Sequence, residues 1–206
     1  MSNTLFSEIK IGPLTLPNRI IMGSMHTGLD HSDDPIGRLT AFYKERADGG
    51  AALIVTGGVS PNEAGLMGPG AMILNTAEQV SDYKVMTDAI HASGSKIIMQ
   101  ILHAGRYSKH EGLLAPSAIR SPINKLEPRE ITSDEIEETI ADFANCASLA
   151  QQAGFDGIEI LGSEGYFLNE FTAERTNKRN DQWGGSFANR SRFPVEIIRA
   201  IRQKTG

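Results

Sequence analysis

Short apolar runs alternate along this chain with amphipathic stretches of helical period, and the alternation repeats. Ala51-Ala52-Leu53-Ile54-Val55 and Lys96-Ile97-Ile98-Met99-Gln100-Ile101-Leu102 are almost continuously apolar, as strands covered on both faces are. Asn18 to Gly23 and Phe155 to Leu161 are two further strand candidates. Between and after them, apolar residues recur three and four positions apart: Leu39, Phe42, Tyr43 and Ala47; Ile136, Ile140, Phe143, Ala147 and Ala150; Phe193, Ile197, Ile198 and Ile201. That spacing predicts helices with one inward face.

Local chemistry marks the boundaries. Asp34 before Pro35 suits a helix cap followed by a first-turn proline. Thr76 with Gln79, and Thr132 with Glu135, have the spacing of capping boxes. The endings Asp48-Gly49-Gly50, Ala92-Ser93-Gly94 and Gln152-Ala153-Gly154 each stop a helix and lead at once into a strand. Leu5 to Leu16 reads as an extended lead-in with a turn at Gly12-Pro13. The last helix is expected to begin at Ser186 or Asn189, with Pro194 kinking or restarting it.

Four strand–loop–helix units in series imply parallel strands with right-handed crossovers. The expected fold is α/β: the first four (βα) units of a TIM (β/α)8 barrel, truncated where the sequence reaches Gly206 and a fifth strand is due. A complete barrel takes about 250 residues. Residues 1–206 are thus expected to be the N-terminal half of the barrel domain. An open doubly wound sheet is disfavoured, because no G-x-G-x-x-G follows the first strand. The bare edges of a half-barrel would favour self-association, or pairing with a separate second half.

Composition narrows the classes. Of 206 residues, 40% are hydrophobic and 22% charged, as in ordinary soluble globular chains. No apolar run nears the roughly 20 residues of a membrane helix. Met1-Ser2-Asn3-Thr4 lacks a basic flank and an apolar core, so no signal peptide is expected. A net charge of −5 argues against a nucleic-acid surface. Cys146, the only cysteine, cannot by itself ligate an iron–sulfur cluster, and it is compatible with a cytoplasmic location.

In a barrel, loops at the carboxyl ends of the strands converge on one mouth. Those loops carry Ser24, Met25, His26, Gly57, Gly58, His103, Arg106, Glu164, Tyr166, Asn177 and Arg179, and Gln100 is a polar residue inside an otherwise apolar strand that leads to the same mouth. Tyr166 is the strongest candidate acid, since a phenol with a pKa near 10 keeps its proton at neutral pH. Glu164, two residues away, is either a partner or a solvated carboxylate. The Gln100 amide can donate and accept toward the pyrimidine end of a flavin. Gly57 and Gly58 permit close backbone approach to a flat cofactor. His26 and His103 lack an evident carboxylate pattern, so no metal is expected.

Two motifs then carry a resemblance over the whole chain. Leu5-Phe6…Ile9-Lys10-Ile11-Gly12…Leu16-Pro17-Asn18-Arg19-Ile20 and Asn177-x-Arg179-x-Asp181-x-Trp183-Gly184-Gly185-Ser186-x-x-Asn189-Arg190-x-Arg192-Phe193 resemble the old yellow enzyme family of FMN-dependent oxidoreductases. Met22 to Gly28, Gln100 to Ser108 and Gly162 to Tyr166 are most similar to its bacterial 2,4-dienoyl-CoA reductase branch. The carbonyl-holding pair of typical ene-reductases falls at Leu161 and Glu164 and is absent, which fits a thioester better than a simple enone or an amine.

The resemblance implies FMN held at Ser24, Met25, His26, Gly58 and Gln100, and substrate contacts at Thr176, Asn177, Lys178 and Arg179. It implies hydride transfer from reduced FMN to a conjugated acyl-CoA thioester, with Tyr166 as proton donor and Glu164 tuning it. It also implies FAD, a [4Fe-4S] cluster and NADPH in segments outside these residues. Relatives acting on other enones or on methylamines, and a non-catalytic half-barrel, stay open at this stage.

Overall fold

The computed structural model of the protein describes residues 4–206. Met1-Ser2-Asn3, weighed above as part of a leader, lies outside the described residues. The chain opens on an antiparallel hairpin, β1 (Ile9–Ile11) and β2 (Leu14–Leu16), turning at Gly12-Pro13 with Gly12 at φ 57°. Then follow β3 (Ile21–Met22), α1 (Pro35–Asp48), β4 (Leu53–Val59), α2 (Val80–Ala92), β5 (Lys96–Ile101), and a small parallel pair, β6 (Leu114–Ala115) and β7 (Arg129–Glu130). The order continues with α3 (Ser133–Gln152), β8 (Gly157–Ile160), α4 (Phe167–Thr172), α5 (Phe187–Arg190) and α6 (Arg192–Thr205). The main sheet runs β3-β4-β5-β8, in chain order, with β3 parallel to β4. This is the arrangement that successive strand–helix units produce.

The chain forms two compact units. The first holds residues up to Gly58, Thr76–Gln100 and Leu149–Glu159; the second holds Val59–Asn75, Ile101–Ser148 and Ile160–Gly206.

In the first unit, Leu16, Ala52 and Leu53 form a buried cluster with Ile9 and Ile98 packed against it, so the hairpin seals the start of the strands. Leu39, Tyr43 and Ala47 give α1 its inward face, and α1 packs on α2. Phe42, expected on that face, is only partly buried; the Arg46 guanidinium covers its ring at 3.6 Å. Asp34 caps α1 by accepting from the Gly37 N–H at 2.9 Å. The Thr76–Gln79 box forms, but it caps a 3-10 turn, Ala77–Gln79, that leads into α2.

In the second unit the core is aromatic. Phe167, Phe171 and Phe193 pack edge-on or tilted at 4.2–5.4 Å between ring centroids, with Trp183 beside Phe193 at 6.4 Å. Such pairs add about 0.5–1.5 kcal/mol each beyond area burial. The Thr132–Glu135 box forms, and Arg129 donates to both Glu135 oxygens, holding that carboxyl at about 2. The last helix does restart: Ser186 caps the short α5 through the Asn189 N–H, and α6 begins anew with Pro194 in its first turn. Its buried stripe is Phe193, Ile197 and Ile201. Ile198, expected inward, is 50% exposed because it sits one residue off that stripe.

Candidate active site

The residues singled out for a cofactor fall in the first unit. Ser24-Met25-His26 follows β3; Met25 and His26 are exposed and Ser24 partly so. Gly57 and Gly58 lie within β4. A Cβ at Gly57 would sit 2.9 Å from the Met25 carbonyl oxygen, so the 24–26 segment can lie this close only over a glycine. The Gly57 N–H donates to Tyr43 Oη at 2.9 Å. Burial pushes the Tyr43 phenol up, against that hydrogen bond, and Asp30 adds to the rise.

Gln100 is 6% exposed. Its Nε2 donates to Glu159 Oε1 at 2.6 Å, and its backbone N–H donates to Thr56 Oγ1 at 3.1 Å. Glu159 thus fixes which way the amide faces. Glu159 was missed in the sequence, although a carboxylate inside Ile158-Glu159-Ile160 is the same kind of signal that singled out Gln100. One buried amide of fixed orientation, a glycine-lined strand and an exposed strand-end segment are the parts a flat, hydrogen-bonding cofactor such as FMN needs.

His26 also has neighbours the sequence did not suggest. His26 Nδ1 and His31 Nε2 each lie 3.9 Å from Asp30 Oδ2, and the three ligand atoms lie within 4.8 Å of one another. The separation exceeds the ~3.4 Å edge set by zinc bonds of roughly 2.1 Å, and both imidazoles are half or more exposed.

The second unit carries the remaining candidates. After β8 the chain turns through Glu164 at φ 65° and Gly165 at φ 88° before α4. Glu164 is exposed and holds a left-handed backbone that costs a non-glycine residue about 1 kcal/mol. Asn169 Oδ1 accepts from the Gly165 N–H at 2.9 Å and so closes the turn. Tyr166 stands at the N-cap of α4, half-buried. Burial raises its pKa, and Glu164 and Tyr107 raise it further. The Tyr107 ring meets the Tyr166 ring edge-on at 5.6 Å.

Thr176 to Arg179 is tightly built. Thr176 Oγ1 donates to the Glu170 carbonyl at 2.8 Å. Asn177 Nδ2 donates to the Phe171 and Trp183 carbonyls, both at 2.8 Å. Arg179, whose side chain is 6% exposed, pairs with Asp181 at 2.5 Å and donates to the Ile131 carbonyl. Of the four, Lys178 keeps an exposed side chain, while its backbone N–H donates to Ser117 Oγ.

His103 is buried and stacks on Phe167 at 4.0 Å, so it is a ring contact. Burial drives it down to about 3 and it is neutral at physiological pH. Its Nδ1 accepts from the Gly105 N–H at 3.1 Å, which places the ring proton on Nε2. Cys146, buried in α3, is pushed up to about 12 by its apolar surroundings and is inert packing. Sequence reasoning also missed helix α4 and the buried Glu170 it carries; Phe167, Leu168 and Phe171 in helical spacing were the available signal.

Comparisons with known proteins bear on the family and the fold. NADH oxidase of Thermoanaerobacter brockii is 41% identical over 209 residues, covering 98% of this chain and 32% of that protein. The solved structure of 2-naphthoyl-CoA reductase in complex with 2-naphthoyl-CoA matches 100% of this chain and 34% of its own, with a TM-score of 0.93 and 33% identity. Morphinone reductase in complex with tetrahydroNAD matches 98% of this chain and 61% of its own, with a TM-score of 0.90 and 31% identity. The fold is therefore the α/β fold of TIM-barrel flavoproteins, and this chain spans about one to two thirds of the length of these relatives. Among the described residues no helix is long and apolar enough to cross a membrane. The model of the NADH:flavin oxidoreductase / NADH oxidase family matches residues 4–206, and the chain belongs to that family, of the old yellow enzyme type.

Proposed function

We propose that this chain supplies the flavin-binding and proton-donating parts of an NAD(P)H-dependent FMN oxidoreductase that reduces a conjugated acyl-CoA thioester of the dienoyl type. The observation that carries the reading is Tyr166, a half-buried phenol whose pKa is raised by burial and by its neighbours Glu164 and Tyr107. Such a group is protonated throughout the physiological range and can give its proton to a carbanion-like centre.

Ser24, Met25, His26, Gly58 and Gln100 hold the flavin in this reading, and Glu159 aims the Gln100 amide. FMN, when bound, supplies the hydride. Tyr166 donates the proton, and the exposed Glu164 carboxylate tunes it. Thr176 and Asn177 shape the loop for substrate, Arg179 anchors it, and Lys178 offers a cation to the anionic CoA moiety.

Two observations support a thioester. Leu161 has no hydrogen-bonding side chain at the place where ene-reductases hold a simple carbonyl, and a relative of nearly the same fold is named for a CoA thioester. NADPH, FAD and a [4Fe-4S] cluster belong to other segments in this reading, and the fatty-acid β-oxidation of unsaturated chains is its setting. Turnover of the full-length protein with a 2,4-dienoyl-CoA, a cyclic enone and a methylamine tests it. Preference for the dienoyl-CoA supports the proposal; preference for the enone or the amine overturns it in favour of another old yellow enzyme activity.

A further inference from the structure

A closed circuit of contacts in the second unit runs through Tyr166, Glu170, Arg106 and Tyr107. Tyr166 heads α4, and its carbonyl accepts from the Glu170 N–H at 2.8 Å. Glu170 lies one turn on, with 1% of its surface exposed. Its Oε1 accepts from the Arg106 N–H at 3.0 Å, in the 3-10 turn Gly105–Tyr107. The next residue, Tyr107, returns to meet the Tyr166 ring edge-on at 5.6 Å.

Two glycines make this closure possible. A Cβ at Gly105 would fall 2.5 Å from Glu170 Oε1, so the turn admits the carboxyl only as glycine. A Cβ at Gly165 would fall 3.0 Å from Tyr107 Oη, so the Tyr107 ring lies directly over the residue preceding Tyr166. Burying a carboxyl in this interior costs free energy unless its oxygens are hydrogen-bonded. Glu170 Oε2 is buried and has no hydrogen-bond partner among the described residues.

We infer that Glu170 and Tyr107 are positioning residues for Tyr166: Glu170 fixes the Gly105–Tyr107 turn, and the turn sets the Tyr107 ring that holds the Tyr166 phenol in one orientation. The geometric part concerns only these side chains; its catalytic consequence rests on Tyr166 as the proton donor. Because only one Glu170 oxygen is engaged, by a backbone N–H, a neutral amide carbonyl can replace it. The conservative Glu170→Gln change should therefore preserve what Glu170→Ala destroys.

The test uses the full-length protein with 3-fluorotyrosine placed at position 166 and read by fluorine NMR. Wild type and E170Q should give one resonance at the same shift. E170A and Y107A should each displace or split it, and each should lower product formation about tenfold while E170Q stays within twofold of wild type. An unchanged fluorine resonance in Y107A overturns the inference, whether or not E170A folds. Equal damage from E170Q and E170A also overturns it. If the resonance shifts as expected but Y166F forms product at the wild-type rate, the positioning stands and the proton-donor reading falls.

Discussion

Gln100 Nε2 donates to Glu159 Oε1 across 2.6 Å, joining β5 to β8 by side chains as well as by backbone. The contact turns a flexible amide into a fixed donor–acceptor pair. Preorganisation of this kind raises affinity by removing the cost of ordering the group on binding. Glu159→Ala should therefore weaken FMN binding by the full-length protein about tenfold, or ~1.4 kcal/mol, and Gln100→Ala should weaken it at least as much. Flavin fluorescence titration of the stripped protein measures both. The double variant should be no worse than Q100A alone, since the two residues act as one unit.

Glu170 gives stability an unusual pH dependence. Burial raises its carboxyl from an ordinary 4.5 to about 8, against the Arg106 hydrogen bond. Between those values the folded chain holds a proton that the unfolded chain has released, so stability falls as pH rises through that window and levels off above it. Glu170→Gln has no such proton. It should match wild type near pH 5 and exceed it by on the order of 2–4 kcal/mol near pH 9, as read by urea unfolding at both pH values.

Asp156 runs the other way. Burial works against its charge, but the Ile97 N–H, His91 and Lys96 outweigh burial and hold the carboxyl below its ordinary 3.8. A depressed carboxylate contributes stability above its unfolded pKa and loses it as pH falls through the folded one. Acid destabilisation below pH ~4 should shrink in Asp156→Asn. That variant should lose about 1–3 kcal/mol at pH 7, where His91 and Lys96 face an amide with one acceptor oxygen and no charge in place of the carboxylate.

Within Thr176 to Arg179, two cations should behave differently. Arg179→Ala leaves Asp181 without its guanidinium and frees the Ile131 carbonyl, and it should destabilise the fold by about 3 kcal/mol. Lys178→Ala removes an exposed side chain; it should leave unfolding within about 0.5 kcal/mol of wild type and raise KM for an acyl-CoA. Paired unfolding curves and steady-state kinetics separate the two.

Much of this was legible in the sequence because its signals are local. The apolar runs at Leu53–Val55 and Ile97–Ile101 became strands, and Asp34, Thr76 and Thr132 capped where their spacing required. What escaped depends on contacts distant in sequence. Phe42 is the local exception: it fits its helical stripe, yet Arg46, one turn along the same helix, shields it in place of the core. Glu170 looks like a solvated acid beside Asn169, and only the turn at Arg106 makes it a buried one. Glu159 gains meaning only once β8 lies beside β5. The site followed the same rule: Tyr166 could be picked by its place after a strand, but the ring that holds it, Tyr107, is 59 residues away.

Tyr166→Phe in the full-length protein tests the central claim most directly, with flavin reduction by NAD(P)H and product formation from reduced enzyme measured separately by stopped flow. If Tyr166 is the proton donor, flavin reduction stays near wild type and product formation falls about 100-fold or more. Equal loss in both steps, or no loss in the second, would contradict it.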